Sequence, residues 1–183
     1  DLDAAQWAAV VQVCKAGALV PVLDMAYQGF AAGLAEDGAV VQPFVDAGLG
    51  FFIATSFSKS FSLYGERVGA LHAVCVDKDE AARVLSQLKI LVRTNYSNPP
   101  THGAQIVATV LADPALRAQW EEELATMRAR IRQMRSLLVE KLKAAGVKRD
   151  FDFIVQQRGM FSYSGLNAGQ MQRLRREFGV YGV

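Results

Sequence analysis

The sequence is poor in the residues that mark several large classes of protein. Cys14 and Cys75 are its only cysteines among 183 residues, too few for the disulfide framework of a small secreted domain. Both fall inside apolar patterns, one helical and one strand-like, and read as reduced core thiols in a cytoplasmic setting. The two histidines, His72 and His102, have no Cys, His or carboxylate at ligand spacing, so no metal site is expected. Only 5 Pro and 15 Gly accompany 51% hydrophobic and 21% charged residues, which places the chain among globular proteins and argues against disorder. With 20 Lys+Arg against 18 Asp+Glu the net charge is +2, too small to hold nucleic acid by bulk electrostatics. Arg128, Arg130, Arg132 and Arg135 are interleaved with acidic and apolar residues and read as the solvated face of a helix. No apolar run approaches the roughly 20 residues that span a bilayer, and no charged start precedes an apolar signal region, so no membrane partner is expected. A Gly-x-x-x-x-Gly-Lys loop is also missing, which argues against a nucleoside triphosphate.

What is present is an alternation of helical and strand-like periods. Asp3 caps a helix from Ala4 to Ala16 with Trp7, Val10, Val11 and Cys14 on one face and Gly17 as its stop. An apolar strand from Ala18 to Leu23 ends at Asp24; after a Gly-rich loop and a helix around Val40 to Gly48, a second strand covers Phe51 to Thr55. A third runs from Val68 to Val76. Helices follow from Ala81 to Val92, with Val84, Leu85, Leu88 and Leu91 as the buried stripe, and from Thr101 to Leu111. Asp113-Pro114 then opens a helix that persists to Ala145, long enough to join two domains. Beyond it come strand-like runs at Phe151 to Gln157 and Gly159 to Ser164, a helix from Ala168 to Phe178, and a strand starting at Gly179. The expected fold is α/β: a mostly parallel sheet with flanking helices over residues 1–125, and a partial small α+β domain over 126–183.

Chemistry concentrates in the run from Ser56 to Gly69. Lys59 stands among Ser56, Ser58, Ser60 and Ser62 just past a buried strand, at the strand end where α/β folds bind small molecules. Ser56, three residues before it, and Arg67, eight after it, are a hydroxyl and a fixed cation suited to a phosphate. An amine beside a phosphate site implies capture of a phosphorylated carbonyl compound as an imine.

This run resembles the cofactor-lysine motif of the pyridoxal-phosphate aminotransferases of the aspartate and aromatic amino acid family. The resemblance extends upstream to Asp24-Met25-Ala26-Tyr27-Gln28-Gly29-Phe30, and downstream to Arg93-Thr94-Asn95-Tyr96-Ser97-Asn98-Pro99-Pro100 and Gly159-Met160-Phe161-Ser162-Tyr163-Ser164-Gly165-Leu166. It implies a fold-type-I enzyme moving an amino group between an L-amino acid and a 2-oxo acid. Lys59 would form the Schiff base with pyridoxal 5′-phosphate and then carry a proton, which requires a neutral amine and hence a lowered pKa. Asp24 would pair with the pyridine nitrogen, Tyr27 with the ring oxygen, and Ser56, Ser58 and Arg67 with the phosphate. Arg93 would reach into the neighbouring subunit of a homodimer to bind a dicarboxylate, with Ser97 and Asn98 in the same intersubunit block. Phe161 would form an aromatic wall beside the substrate.

Phe61 to Arg67 and Gln157 to Tyr163 look closer to bacterial aromatic (tyrosine) aminotransferases than to strict aspartate ones. The family's Gly-rich phosphate turn, ring-stacking aromatic and cross-dimer tyrosine should lie upstream of Asp1, and its carboxylate-binding arginine beyond Val183. The chain is therefore expected to be the C-terminal half of such an enzyme, inactive by itself; the alternative is a non-catalytic fragment or interaction module that keeps remnants of the cofactor site.

Overall fold

The computed structural model describes residues 2–182. They form two compact units that divide between Ile131 and Arg132. The first begins with α1 (Ala4–Ala16), opened by a reciprocal cap: the Gln6 amide donates to the Asp3 carboxylate at 2.8 Å and the Asp3 amide to the Gln6 side chain at 2.9 Å. Next come β1 (Val22–Met25), α2 (Leu34–Gly38), a 3-10 turn (Ala39–Val41), α3 (Gln42–Asp46), β2 (Phe51–Ser56) and β3 (Gly69–Val74). The unit continues through α4 (Lys78–Tyr96), α5 (His102–Ala112) and the first part of α6 (Pro114–Ala144). Its core joins Val11, Phe44 and Phe51, flanked by Trp7, Cys14, Leu23 and Ile53. The Phe44 ring lies 6.2 Å from Trp7 edge-on and 5.5 Å from Phe51.

The sheet order is β1-β2-β3. β1 runs parallel to β2, with Asp24 beside Ala54 and Met25 beside Thr55. β3 runs antiparallel to β2, with Ser56 beside Gly69, so the described sheet holds one parallel and one antiparallel pair rather than being mostly parallel. The reason is the connection. A parallel return needs a crossover, usually a helix, whereas residues 57–68 fold into successive turns closed by the Phe57 amide on the Val68 carbonyl at 3.2 Å. Gly69 suits this close return, because a Cβ there would sit 2.6 Å from the Thr55 carbonyl oxygen.

β1 starts later than its apolar run. The amides of Ala18 and Leu19 bond back to Lys15 and Cys14, closing the end of α1, and Pro21 has no amide to give a ladder. Asp24 consequently lies within β1 instead of just after it. The apolar stripe expected to be buried on α4 is only partly covered: Leu85 and Leu91 are exposed, and Phe52 with Val84, Leu88 and Leu91 borders an open groove of about 760 Å³.

Within the first unit, α6 supports two turns. Leu124 is fully buried against Gly29, which adopts φ +92°, and the Arg128 guanidinium donates to the Gly29 carbonyl at 2.7 Å. Four residues before Leu124, the Trp120 indole donates to the Ser60 carbonyl at 2.7 Å. Arg128 is thus an internal strut and not part of a solvated face.

The second unit contains the rest of α6, α7 (Phe153–Gln156) and α8 (Ala168–Phe178), with Val139 and Ile154 buried. Asn167 caps α8 reciprocally with Gln170, and Gly179 ends it at φ +64°. The strands expected at Phe151 to Gln157 and Gly159 to Ser164 do not form: the first run holds the short helix α7, and the second is irregular. Side chains answer its backbone instead. The Gln157 amide group donates to the Tyr163 carbonyl at 2.9 Å and accepts from the Tyr163 amide at 2.7 Å, while Arg135 binds further carbonyls. No strand begins at Gly179 among the described residues, and Val183 lies outside them.

Replacing Gly29 by Ala should lower stability by about 1–3 kcal/mol, since the new methyl group meets both a left-handed backbone and Leu124 Cδ2 at 2.6 Å. Thermal unfolding should show a lower Tm for Gly29→Ala; an unchanged Tm would contradict the packing of this turn on α6.

Candidate active site

Strand direction assembles the site. Because β1 and β2 are parallel, their carboxyl ends share one edge of the sheet, and β3, being antiparallel, begins at that edge. Asp24 near the end of β1, Ser56 at the end of β2 and Arg67 just before β3 therefore converge. Together with Ala54, Thr55, Ser58, Val68 and Gly69 they line a cleft of about 210 Å³.

The cleft's donors are held by local bonds. Ser58 is buried, 3% exposed, and its amide donates to the Ser56 hydroxyl at 3.2 Å. Arg67 has φ +52°, a left-handed conformation that costs a non-glycine residue about 1 kcal/mol. Its Nη1 donates to the Tyr64 carbonyl at 3.0 Å and makes a long contact with the Ser58 hydroxyl at 3.5 Å. Both bonds use Nη1, leaving Nε and Nη2 available to an anion. The neighbouring Glu66 carboxylate meets His102 Nδ1 at 3.0 Å. Next to His102, a Cβ on Gly103 would sit only 2.9 Å from Glu66 Cβ and 3.2 Å from Val68 Cβ, so the start of α5 is pressed against the Arg67 turn.

Lys59 is half-buried, and its Nζ lies 5.2 Å from the centre of the Tyr27 ring. Two anchors fix the lysine turn. One is the Trp120 bond to the Ser60 carbonyl; the other is the Phe61 ring, stacked on Trp120 at 4.5 Å and met edge-on by Phe57 at 5.5 Å. The Tyr27 turn has its own. The Asp37 carboxylate accepts from the amides of Gly29, Ala31 and Ala32 at 2.8, 3.0 and 2.8 Å, and Arg128 binds the Gly29 carbonyl.

Sequence reasoning singled out neither Trp120 nor Asp37, and it placed Arg128 in solvent. The readable signal was the spacing of Trp120, Leu124 and Arg128, four residues apart on one side of α6.

Arg93, Ser97 and Asn98 do not line the cleft. They are exposed at the carboxyl end of α4, where Arg93 Nη1 donates to the Ser97 hydroxyl and Ser97 turns the chain at φ +69°. Phe161 belongs to the second unit, where the residue is 63% exposed. Among the described residues no group of His, Cys, Asp or Glu could hold a metal ion, and Cys14 and Cys75 are free thiols. Chemically, the cleft offers the Ser56 and Ser58 hydroxyls and a guanidinium for a phosphate and a carboxylate for a cationic partner, with an amine and a phenol close together beside it.

Comparison with known proteins agrees with this chemistry. The family model for aminotransferase class I and II matches residues 1–183. An aspartate aminotransferase of Pseudomonas aeruginosa is 61% identical over 183 residues, covering 100% of this chain and 46% of the relative. An aromatic-amino-acid aminotransferase of Escherichia coli is 54% identical over 181 residues, covering 99% of this chain and 46% of the relative. The crystal structure of an aromatic-amino-acid aminotransferase from Burkholderia pseudomallei, covalently bound to pyridoxal phosphate, superposes with a TM-score of 0.97 at 65% identity, over 100% of this chain and 46% of that one. The chain spans about half the length of the proteins it matches. From the sheet edge that gathers Asp24, Ser56 and Arg67 to the match along the whole sequence, the observations agree: the chain belongs to the class I and II aminotransferases.

Proposed function

We propose that the whole protein is a pyridoxal-phosphate-dependent aminotransferase that exchanges an amino group between an L-amino acid, aromatic or of the aspartate and glutamate type, and a 2-oxo acid, with Lys59 holding the cofactor as a Schiff base. The observation that carries this reading is the convergence of Asp24, Ser56, Ser58 and Arg67 on one small cleft, with Lys59 Nζ against the Tyr27 ring beside it. The residues fit the cofactor: its phosphate needs charge-assisted and hydroxyl donors, its ring nitrogen a carboxylate, and its carbonyl an amine.

When bound, pyridoxal phosphate supplies an electron sink for the charge left as the substrate Cα proton departs. The protein's own groups do the rest. Arg67, Ser56 and Ser58 grip the phosphate; the fixed guanidinium bonds to Tyr64 and Ser58 reduce the ordering cost of doing so. Asp24 would pair with the ring nitrogen and keep it protonated, Tyr27 would donate to the ring oxygen, and the Lys59 amine would serve as the group that accepts and returns the substrate proton. Its neighbours hold that amine in range, through Trp120 on one side of the turn and the Tyr27 ring on the other.

Arg93, with Ser97 and Asn98, acts in the neighbouring subunit of a homodimer, where its cation binds a dicarboxylate side chain, and Phe161 forms a wall of the substrate pocket. Residues 1–125 and 126–183 are read as parts of the large cofactor domain and the small domain, a boundary inside α6 as is the division at Ile131 and Arg132. A cytoplasmic enzyme is the proposed setting; no helix among the described residues is long and apolar enough to cross a membrane. The relatives bear both aspartate and aromatic-amino-acid names, which supports a substrate range covering the two classes.

In the full-length holoprotein, Lys59→Ala should abolish the visible absorbance of the amine-bound cofactor and reduce kcat by about 10²–10⁴ or more. An unchanged spectrum would reject Lys59 as the attachment point. Arg93→Leu should lower kcat/KM for aspartate about 10- to 100-fold, the worth of a charged hydrogen bond, while changing that for phenylalanine by less than about threefold. Equal losses on both substrates would remove Arg93 from side-chain selection. In the 183-residue chain alone Asp24 and Arg67 are exposed to water, so it should show no measurable turnover of tyrosine with 2-oxoglutarate. Turnover by that chain would show that it holds a sufficient site by itself.

A further inference from the structure

Arg135 is among the most buried charged residues, 5% exposed, yet its four hydrogen-bond partners among the described residues are all neutral oxygens. Nη1 donates to the Gln157 carbonyl at 2.8 Å, Nη2 to the carbonyls of Gly159 at 2.5 Å and Phe161 at 2.9 Å, and Nε to the Ser162 hydroxyl at 2.9 Å. Burial and the nearby Arg132 charge pull its pKa below the usual arginine value. A buried cation without a carboxylate is an unfavourable choice for mere packing, where leucine would serve better.

What arginine adds is a rigid planar fork with five donors. Carbonyls 157, 159 and 161 alternate along the chain and face the same guanidinium, which stands in for the missing partner strand of an irregular run. The same run bends at Gly159, φ +83°, and the Gln157 side chain ties it to Tyr163 at its far end. Between these ties lies Phe161, whose carbonyl is held from α6 while the residue as a whole is mostly exposed.

We propose that Arg135 is a positioning residue for substrate binding: by clamping the carbonyls of Gln157, Gly159 and Phe161 it fixes the Phe161 ring as a wall of the amino-acid pocket. This rests on the reading of Phe161 as a substrate-facing residue. Lysine in place of Arg135 keeps a charge but presents one nitrogen, which cannot span three carbonyls and a hydroxyl. The cost should therefore fall on substrate binding and leave the chemical step alone.

The test is steady-state kinetics of the full-length holoenzyme with phenylalanine. Arg135→Lys should raise KM about five- to tenfold with kcat within about twofold, and leave the cofactor absorbance and its pH titration unchanged. Ser162→Ala, which removes a single bond of the clamp, should raise KM about two- to threefold and covers the case in which Arg135→Lys does not fold. Phe161→Ala is measured in parallel and should raise KM at least as much as Arg135→Lys. If Phe161→Ala raises KM while folded Arg135→Lys, or Ser162→Ala in its place, leaves KM unchanged, the positioning role is wrong and the Phe161 assignment survives. If Phe161→Ala leaves KM unchanged, the Phe161 assignment fails and the positioning role with it. A fall in kcat together with an altered cofactor spectrum would also overturn the proposal, since it would mark general loss of structure.

Discussion

Two backbone carbonyls, those of Ser60 and Gly29, accept hydrogen bonds from side chains eight residues apart on α6, and the geometry beside the cleft depends on that pair. Neither accepting turn has a ladder to hold it. Trp120 and Arg128 reach them from a helix whose own backbone is already satisfied, with Leu124 filling the space between. A helix is the stiffest support a single chain can offer. Hanging the lysine and tyrosine turns from one such rod keeps their spacing constant while the sheet edge supplies the remaining groups.

The sheet contributes through direction more than through stability. Had β3 returned parallel, its first residue would lie at the opposite edge, and Arg67 would be separated from Ser56 by the length of a strand. The short turn-rich connection thus determines both the antiparallel pairing and the arrival of a cation beside two hydroxyls. Glycine 69 belongs to the same arrangement, since the strands meet there at a separation that leaves no room for a side chain.

Much of this was legible in the sequence because it is local. Asp3 and Asp113 each accept amide hydrogens at the start of the helix they precede, and those helices begin where the sequence indicates, whereas α4 starts at Lys78, capped by Asp77, three residues before the expected Ala81. The apolar runs ending near Asp24 and Ser56 are strands, and the polar residues after them share a cleft. What was not legible depends on distant partners. The runs around Phe151 and Phe161 have strand-like composition, but the first folds into the short helix α7 and the carbonyls of Gln157, Gly159 and Phe161 are taken by Arg135 from 22 to 26 positions away. Arg128 and Arg135 sit among charged neighbours and look solvated by periodicity; only the fold reveals that carbonyls 99 and 22 residues distant await them. The α4 stripe shows the reverse error: Leu85 and Leu91 satisfy the pattern for burial, yet among the described residues about half of each stays exposed.

Arg67 combines two demands that no single amino acid meets comfortably. Its backbone occupies the left-handed region at φ +52°, where glycine is the relaxed choice, while its side chain supplies the only guanidinium that lines the cleft among the described residues. Glycine at this position would relieve the strain and delete the cation. Under the phosphate-binding role proposed for Arg67, selection for thermal stability alone would therefore favour a change that selection for that role forbids.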